Sequence, residues 1–147
     1  AWVAARRLIR SGERSRFVLG ARAGALAADD FGALPPDLRF FAGGDRSIRG
    51  FDYQAIGETN AAGRVIGGKY LAVGSATYEH YFVENWGVAA FTDAGDAFST
   101  RFDTNVSVGL GARWRSPVGM VRVDFAKPVV TRFDDGFRIH VTIGPDL

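Results

Sequence analysis

Asn105-Val106-Ser107-Val108-Gly109-Leu110-Gly111-Ala112-Arg113-Trp114-Arg115 decides the fold. Val106, Val108, Leu110, Ala112 and Trp114 take one set of alternate positions, and Asn105, Ser107, Gly109, Gly111, Arg113 and Arg115 take the other. Side chains along a strand alternate between faces with a period of two. The stretch therefore reads as a β-strand between two unlike surroundings, one apolar and one lined by glycine and arginine.

The pattern continues outward in both directions. After the turn Ser116-Pro117-Val118-Gly119, residues 120–128 set Val121, Val123 and Phe125 against Arg122, Asp124 and Ala126. The last strand, 136–144, sets Phe137, Ile139, Val141 and Ile143 against Arg138, His140 and Thr142. On the other side, residues 86–97 set Trp86, Val88 and Ala90 against Gly87, Ala89, Phe91, Asp93 and Gly95. Residues 68–82 are the longest strand candidate, with Ser75, Thr77 and Glu79 on one face and the turn Glu84-Asn85 after it. Residues 15–27 place Phe17, Leu19, Ala21, Ala23 and Ala25 opposite Arg16, Gly20, Arg22 and Gly24. Residues 2–10 alternate poorly but end at Ser11-Gly12-Glu13, a plausible hairpin turn. The expected fold is all-β, an antiparallel meander of about seven strands.

Composition agrees and narrows the function. The 147 residues suffice for one modest core, and 19 Gly against five Pro suits glycine-punctuated β structure. A net charge of +2 gives no reason to expect a nucleic-acid partner. With no cysteine there is no disulfide, thiolate metal site or cysteine nucleophile. No apolar run reaches the ~18–20 residues of a membrane helix, but a membrane barrel shows only ~10-residue alternation. The start, Ala1-Trp2-Val3, lacks an initiator Met and suggests a piece of a longer protein.

Alternation alone leaves two readings open. One is a soluble antiparallel sheet with a wet face; the other is a membrane barrel with a polar lumen. Recurrent Arg22, Arg113, Arg115, Arg122 and Arg138 on one face, with Trp86 and Trp114 near strand ends on the other, suit the barrel. Seven strands cannot close a bacterial barrel, and an open edge in lipid leaves backbone groups unpaired. A membrane reading thus requires a larger barrel.

Between the second and third long strands lies a connection, roughly 28–67, without strand alternation or helical periodicity. Loops this long inside a compact protein are usually functional or disordered. Its centre, residues 40–53, carries Phe40, Phe41, Phe51, Tyr53, Arg46, Arg49 and the pair Gly43-Gly44, a poor composition for a disordered linker. An ordered loop packed against something is expected.

Phe41-Ala42-Gly43-Gly44-Asp45-Arg46-Ser47-Ile48-Arg49-Gly50-Phe51 resembles the loop of the bacterial surface antigen superfamily, which includes the outer-membrane assembly proteins BamA and TamA and the two-partner-secretion transporters. Gly67-Gly68 leading to Ser75 and Glu79 resembles the next strand of that family. Phe91-Thr92-Asp93-Ala94-Gly95-Asp96 resembles its F-x-D-x-G element. Arg113-Trp114-Arg115-Ser116-Pro117-Val118-Gly119 and Val121-Arg122-Val123-Asp124-Phe125-Ala126 resemble its penultimate hairpin. The ending Ile143-Gly144-Pro145-Asp146-Leu147 looks most like the TamA branch.

The resemblance covers about residues 39–147. It implies that 1–147 is the C-terminal part of a sixteen-stranded transmembrane β-barrel in the bacterial outer membrane, with loop 28–67 folded into the lumen. It further implies a structural clamp in which Arg49 meets two carboxylates, Glu79 and Asp93, while Gly50 permits close approach and Phe51 packs. Both carboxylates fall on the face already read as polar. The planar fork of Arg suits two carboxylates in a way that Lys does not.

The implied function is insertion or translocation of outer-membrane proteins, with no enzyme activity, no cofactor and no metal. The implied partners are the lipid bilayer, client outer-membrane proteins and a periplasmic or inner-membrane partner reached through upstream domains. Alternatives are a two-partner-secretion pore, a barrel anchor for an upstream enzyme such as a patatin-like lipase, and a soluble β-domain. Residue patterns give catalysis little support. His80 and His140 lack paired-ligand spacing, Ser47 and Ser75 lack a nucleophile elbow, and Gly43-Gly44 lacks a phosphate-loop Lys. Asp29-Asp30 and Asp134-Asp135 read as solvated turn residues. Asp45, Arg46 and Asp52 are candidates for a supporting ring of ion pairs, and Arg113, Arg115, Arg122 and Asp124 for a charge ladder along the wall.

Overall fold

A computed structural model describes residues 1–28, 30–133 and 136–145. Seven strands form one antiparallel sheet whose order follows the chain: β1 (Trp2–Arg10), β2 (Ser15–Ala25), β5 (Tyr70–Tyr81), β6 (Trp86–Phe98), β7 (Asn105–Ser116), β8 (Gly119–Val130) and β9 (Arg138–Gly144). A short ribbon of β3 (Glu58–Thr59) and β4 (Val65–Gly67) and a 3-10 turn (Pro36–Leu38) lie within the long connection. The sheet is open among the described residues, with β1 and β9 at its edges.

The expected strands are found with small shifts at their ends. The second strand stops at Ala25, so the connection runs from 26 to 69 and β5 begins at Tyr70. The ribbon β3–β4 falls where no alternation was visible, because two- and three-residue strands are too short to display a period. Its turn is built by Asn60, whose side-chain oxygen accepts from the amides of Ala62 and Arg64. The pairs Asp29-Asp30 and Asp134-Asp135 lie outside the described residues except for Asp30, which accepts from the amides of Gly32 and Ala33 as an ordinary turn residue. Asp146 and Leu147 of the chain's ending also lie outside them.

The two faces differ as the alternation predicts. Outward positions are exposed and apolar: Phe17, Leu19, Tyr78, Val88, Leu110, Val108, Phe125, Ile139, Val141 and Ile143. Aromatic pairs sit near strand ends. Trp86 stacks on Trp114 with centroids 5.5 Å apart, and Phe98 touches both Tyr70 and Phe102. Inward positions instead bury polar groups: Thr77, Glu79, Asp93, Ser107, Arg113 and Asp124. The sheet is therefore inside out relative to a soluble domain, apolar where it faces its surroundings.

The conventional core is small and belongs to the connection. Ala42, Ile48, Phe51 and Ile56 of the loop are buried against Val73 of β5 and Ala97 of β6, with Phe40, Leu71 and Phe133 packed around them. The sheet curls around this plug far enough that Arg6 of β1 and Thr142 of β9 line the same cavity, about 520 Å³ in volume. Covering one end of the inner face, the loop holds residues 47–52 against the wall.

Candidate functional site

The site is set by rows of the sheet. Register places Glu79, Ala89, Gly111, Asp124 and His140 level with one another across β5 to β9. One pleat along lie Thr77, Phe91, Gly109, Ala126 and Arg138, and one further Ser75, Asp93, Ser107 and Pro128. In the first row, two carboxylates flank two small residues. That gap matters, since a methyl on Gly111 would lie 2.0 Å from Asp124 Oδ1 and 2.6 Å from Arg113 Nη1. Glycine there is what lets an arginine reach across the row.

Arg49 enters this wall from the loop. Its Nε and Nη2 each donate to Asp93 at 2.8 Å, a bidentate pair, and its own backbone amide donates to Asp93 Oδ2 at 3.1 Å. Nη1 donates to Asp124 at 3.2 Å and Nη2 to the Thr77 hydroxyl at 3.0 Å. The guanidinium carbon lies 3.5 Å from the centre of the Phe91 ring, which is itself laid over Gly109. Five donors in a planar fork, with an apolar face for stacking, match this set of partners. Burial acts to lower the Arg49 pKa, but hydrogen bonds and charge from Asp93 and Asp124 outweigh it and raise the value above the ordinary one.

Of the residues singled out from the sequence, Arg49 and Asp93 meet directly. Glu79 does not touch Arg49; the second carboxylate on the guanidinium is Asp124. Glu79 is instead held by Arg16 at 2.6 Å and Arg113 at 2.8 Å, and Arg113 also donates to Asp124 at 2.6 Å. The charges thus alternate in an unbroken line, Arg16–Glu79–Arg113–Asp124–Arg49–Asp93, running from β2 through the loop's Arg49 to β6. The inner-face pattern put Asp124 and Arg113 on the correct wall. What it lacked was the lateral register that makes Asp124 level with Glu79, and the loop path that brings Arg49 nearer the former.

Gly50 lies against the wall and Phe51 in the loop core. The Gly50 amide donates to Ser107 Oγ at 3.1 Å, and an added Cβ would lie 2.3 Å from Ser107 Cβ. Phe51 is 2% exposed in the loop core. Gly43 and Gly44, both near φ +100°, turn the chain back so that the Gly44 amide meets the carbonyls of Ile48 and Phe51.

The proposed ring of loop charges is only partly formed. Asp52 pairs with Arg138 at 2.7 Å, whereas Asp45 and Arg46 line the cavity and enter no ion pair among the described residues. Arg115 lies over the Tyr81 ring at 3.9 Å, so it extends the ladder by stacking.

The arrangement pairs every carboxylate of the line with an arginine. It can hold strands together. Arg49 and Gly50 alone contact β5 through Thr77, β6 through Asp93, β7 through Ser107, β8 through Asp124 and β9 through His140.

Comparison with known proteins identifies a family. The Omp85 superfamily domain matches residues 6–146. The chain is 33% identical over 117 residues to the outer membrane protein assembly factor BamA of Nitratidesulfovibrio vulgaris, a match covering 74% of this chain and 15% of that protein. The chain therefore spans a small part of the length of that relative. Its fold and this match together assign it: the chain belongs to the Omp85 superfamily, whose proteins reside in the outer membrane of Gram-negative bacteria.

Proposed function

We propose that this chain is the C-terminal part of a sixteen-stranded outer-membrane barrel that inserts or translocates other outer-membrane proteins without covalent chemistry. Arg49, Gly50, Phe51 and Asp93 form the structural clamp of its lumen, with Asp124 as the second carboxylate and Glu79 joined through Arg113. The observation that carries this reading is the span of residues 49–50 across five consecutive strands, in a chain whose relative is named an assembly factor. Such a clamp keeps the inner wall in one curvature while the backbone at the sheet's edge stays available for pairing with a client strand. The partners are the bilayer, client outer-membrane proteins and a periplasmic or inner-membrane partner acting through upstream domains.

The test uses the full-length protein reconstituted in liposomes, with the rate at which an unfolded outer-membrane barrel gains protease resistance as the readout. Arg49→Ala should slow insertion at least tenfold while the protein still reaches the membrane. Insertion at the wild-type rate by an Arg49→Ala, Asp93→Ala double variant sinks the clamp. Full-length wild type that never accelerates insertion sinks the insertion function.

A further inference from the structure

The loop tip grips the terminal strand as well as the wall. Arg138 and His140 are inward-facing residues of β9, level with Ala126 and Asp124 on β8. Arg138 Nε and Nη2 donate to the two oxygens of the Asp52 carboxylate at 2.7 and 3.0 Å, and His140 Nε2–H donates to the backbone carbonyl of Arg49. These contacts matter more at β9 than they would elsewhere. β9 has seven residues against twelve in β8, and among the described residues it pairs on one side only. Its outward residues Ile139, Val141 and Ile143 are exposed and add little packing within the chain. A short edge strand held by one ladder is where local opening is cheapest.

We propose that Arg138 and His140 are positioning residues through which the lumen loop latches β9 onto the sheet, so that the edge opens only when the loop tip releases it. Arg49 makes this latch responsive to the clamp. Its side chain is fixed by Asp93 and Asp124 while its own carbonyl takes the His140 proton donor, so any shift of the loop disturbs both. Asp52 is 68% exposed at its side chain, which leaves that tether within reach of water and of a passing strand. The consequence for client insertion rests on the function proposed above; the latch itself does not.

Hydrogen exchange on the full-length protein in lipid nanodiscs tests it. Asp52→Ala and His140→Leu each remove one tether without touching the buried charges. Each should speed exchange at 138–144 about fivefold, as expected for a partly exposed contact, and the pair about tenfold or more, with β5–β7 unchanged. His140→Gln, which keeps an N–H donor, and the charge swap Asp52→Arg with Arg138→Asp should restore protection. Unchanged exchange at 138–144 in the double variant overturns the latch, as does equal acceleration in every strand. If β9 loosens as expected but insertion of an unfolded barrel into liposomes keeps its rate, the latch stands and the insertion reading of this edge falls.

Discussion

At the scale of single residues, the Arg49 guanidinium is asked to satisfy Asp93 twice, Asp124 once and Thr77 once while stacking on Phe91. No other cationic side chain has that number of fixed donors. Its side chain is 12% exposed and that of Asp93 fully buried, so removing the guanidinium strands buried carboxylate. Arg49→Ala should therefore lower unfolding stability by ~3–5 kcal/mol in urea titrations in detergent. Arg49→Lys should recover less than half of that, because an ammonium cannot serve the bidentate pair and the ring together. A double-mutant cycle separates direct from relayed contacts. Coupling of Arg49 with Asp93 should exceed about 1 kcal/mol, and coupling with Asp124 should exceed that with Glu79, since Glu79 is reached only through Arg113. Equal coupling to Glu79 and Asp124 would contradict the geometry.

At the scale of elements, the contact between loop and wall is fixed by an absence of side chain. Gly50 sits where a Cβ would press on Ser107 at 2.3 Å and approach the backbone of Pro128 at 3.1 Å. Gly50→Ala should cost ~1–3 kcal/mol through overpacking, and Ser107→Gly in the same protein should return much of it even though the hydroxyl acceptor is lost. No recovery would mean that the backbone at Pro128, and not the Ser107 side chain, sets the limit on space. This site also shows what could be read without coordinates. Strand alternation put Glu79, Asp93, Ser107, Arg113 and Asp124 on one wall, because period two depends only on local backbone geometry. It could not say which of them stand level, since register between strands depends on turns and on small residues such as Ala89 and Gly111 that look featureless in the chain. The loop was harder still. Its ribbon β3–β4 and the turn through Gly43 and Gly44 have no period, and their conformation is dictated by the wall they pack against. The resemblance implied Glu79 and Asp93 as the partners of Arg49, and the loop's path instead brings Arg49 to Asp93 and to Asp124, three strands from Glu79 in the sheet.

At the scale of the molecule, the sheet places its large exposed apolar side chains outward and its ion pairs inward, the reverse of a soluble sandwich. Leu110 decides between the two environments such a surface could face. It is 66% exposed on the outward face of β7, flanked in register by Ala90 and Phe125, and lies four residues before Trp114, where the stacked Trp86–Trp114 pair marks one rim. The other rim is marked by Tyr70, Phe98 and Phe102, which puts Leu110 between the aromatic bands. In water a substitution at such an exposed site changes stability by no more than ~0.5 kcal/mol. Near the middle of a bilayer an outward arginine on a barrel costs ~2–4 kcal/mol, because its charge must be carried into hydrocarbon with no partner beside it. Leu110→Arg should therefore destabilise the full-length protein by roughly that amount when unfolding is measured in phospholipid vesicles. Arginine at Val118, 88% exposed in the turn beyond the Trp rim, should be close to neutral in the same measurement. The contrast between these two sites is the informative quantity, since both are exposed and only one lies between the rims. Equal effects at both would show that the apolar face does not meet lipid, and would remove the barrel reading along with it.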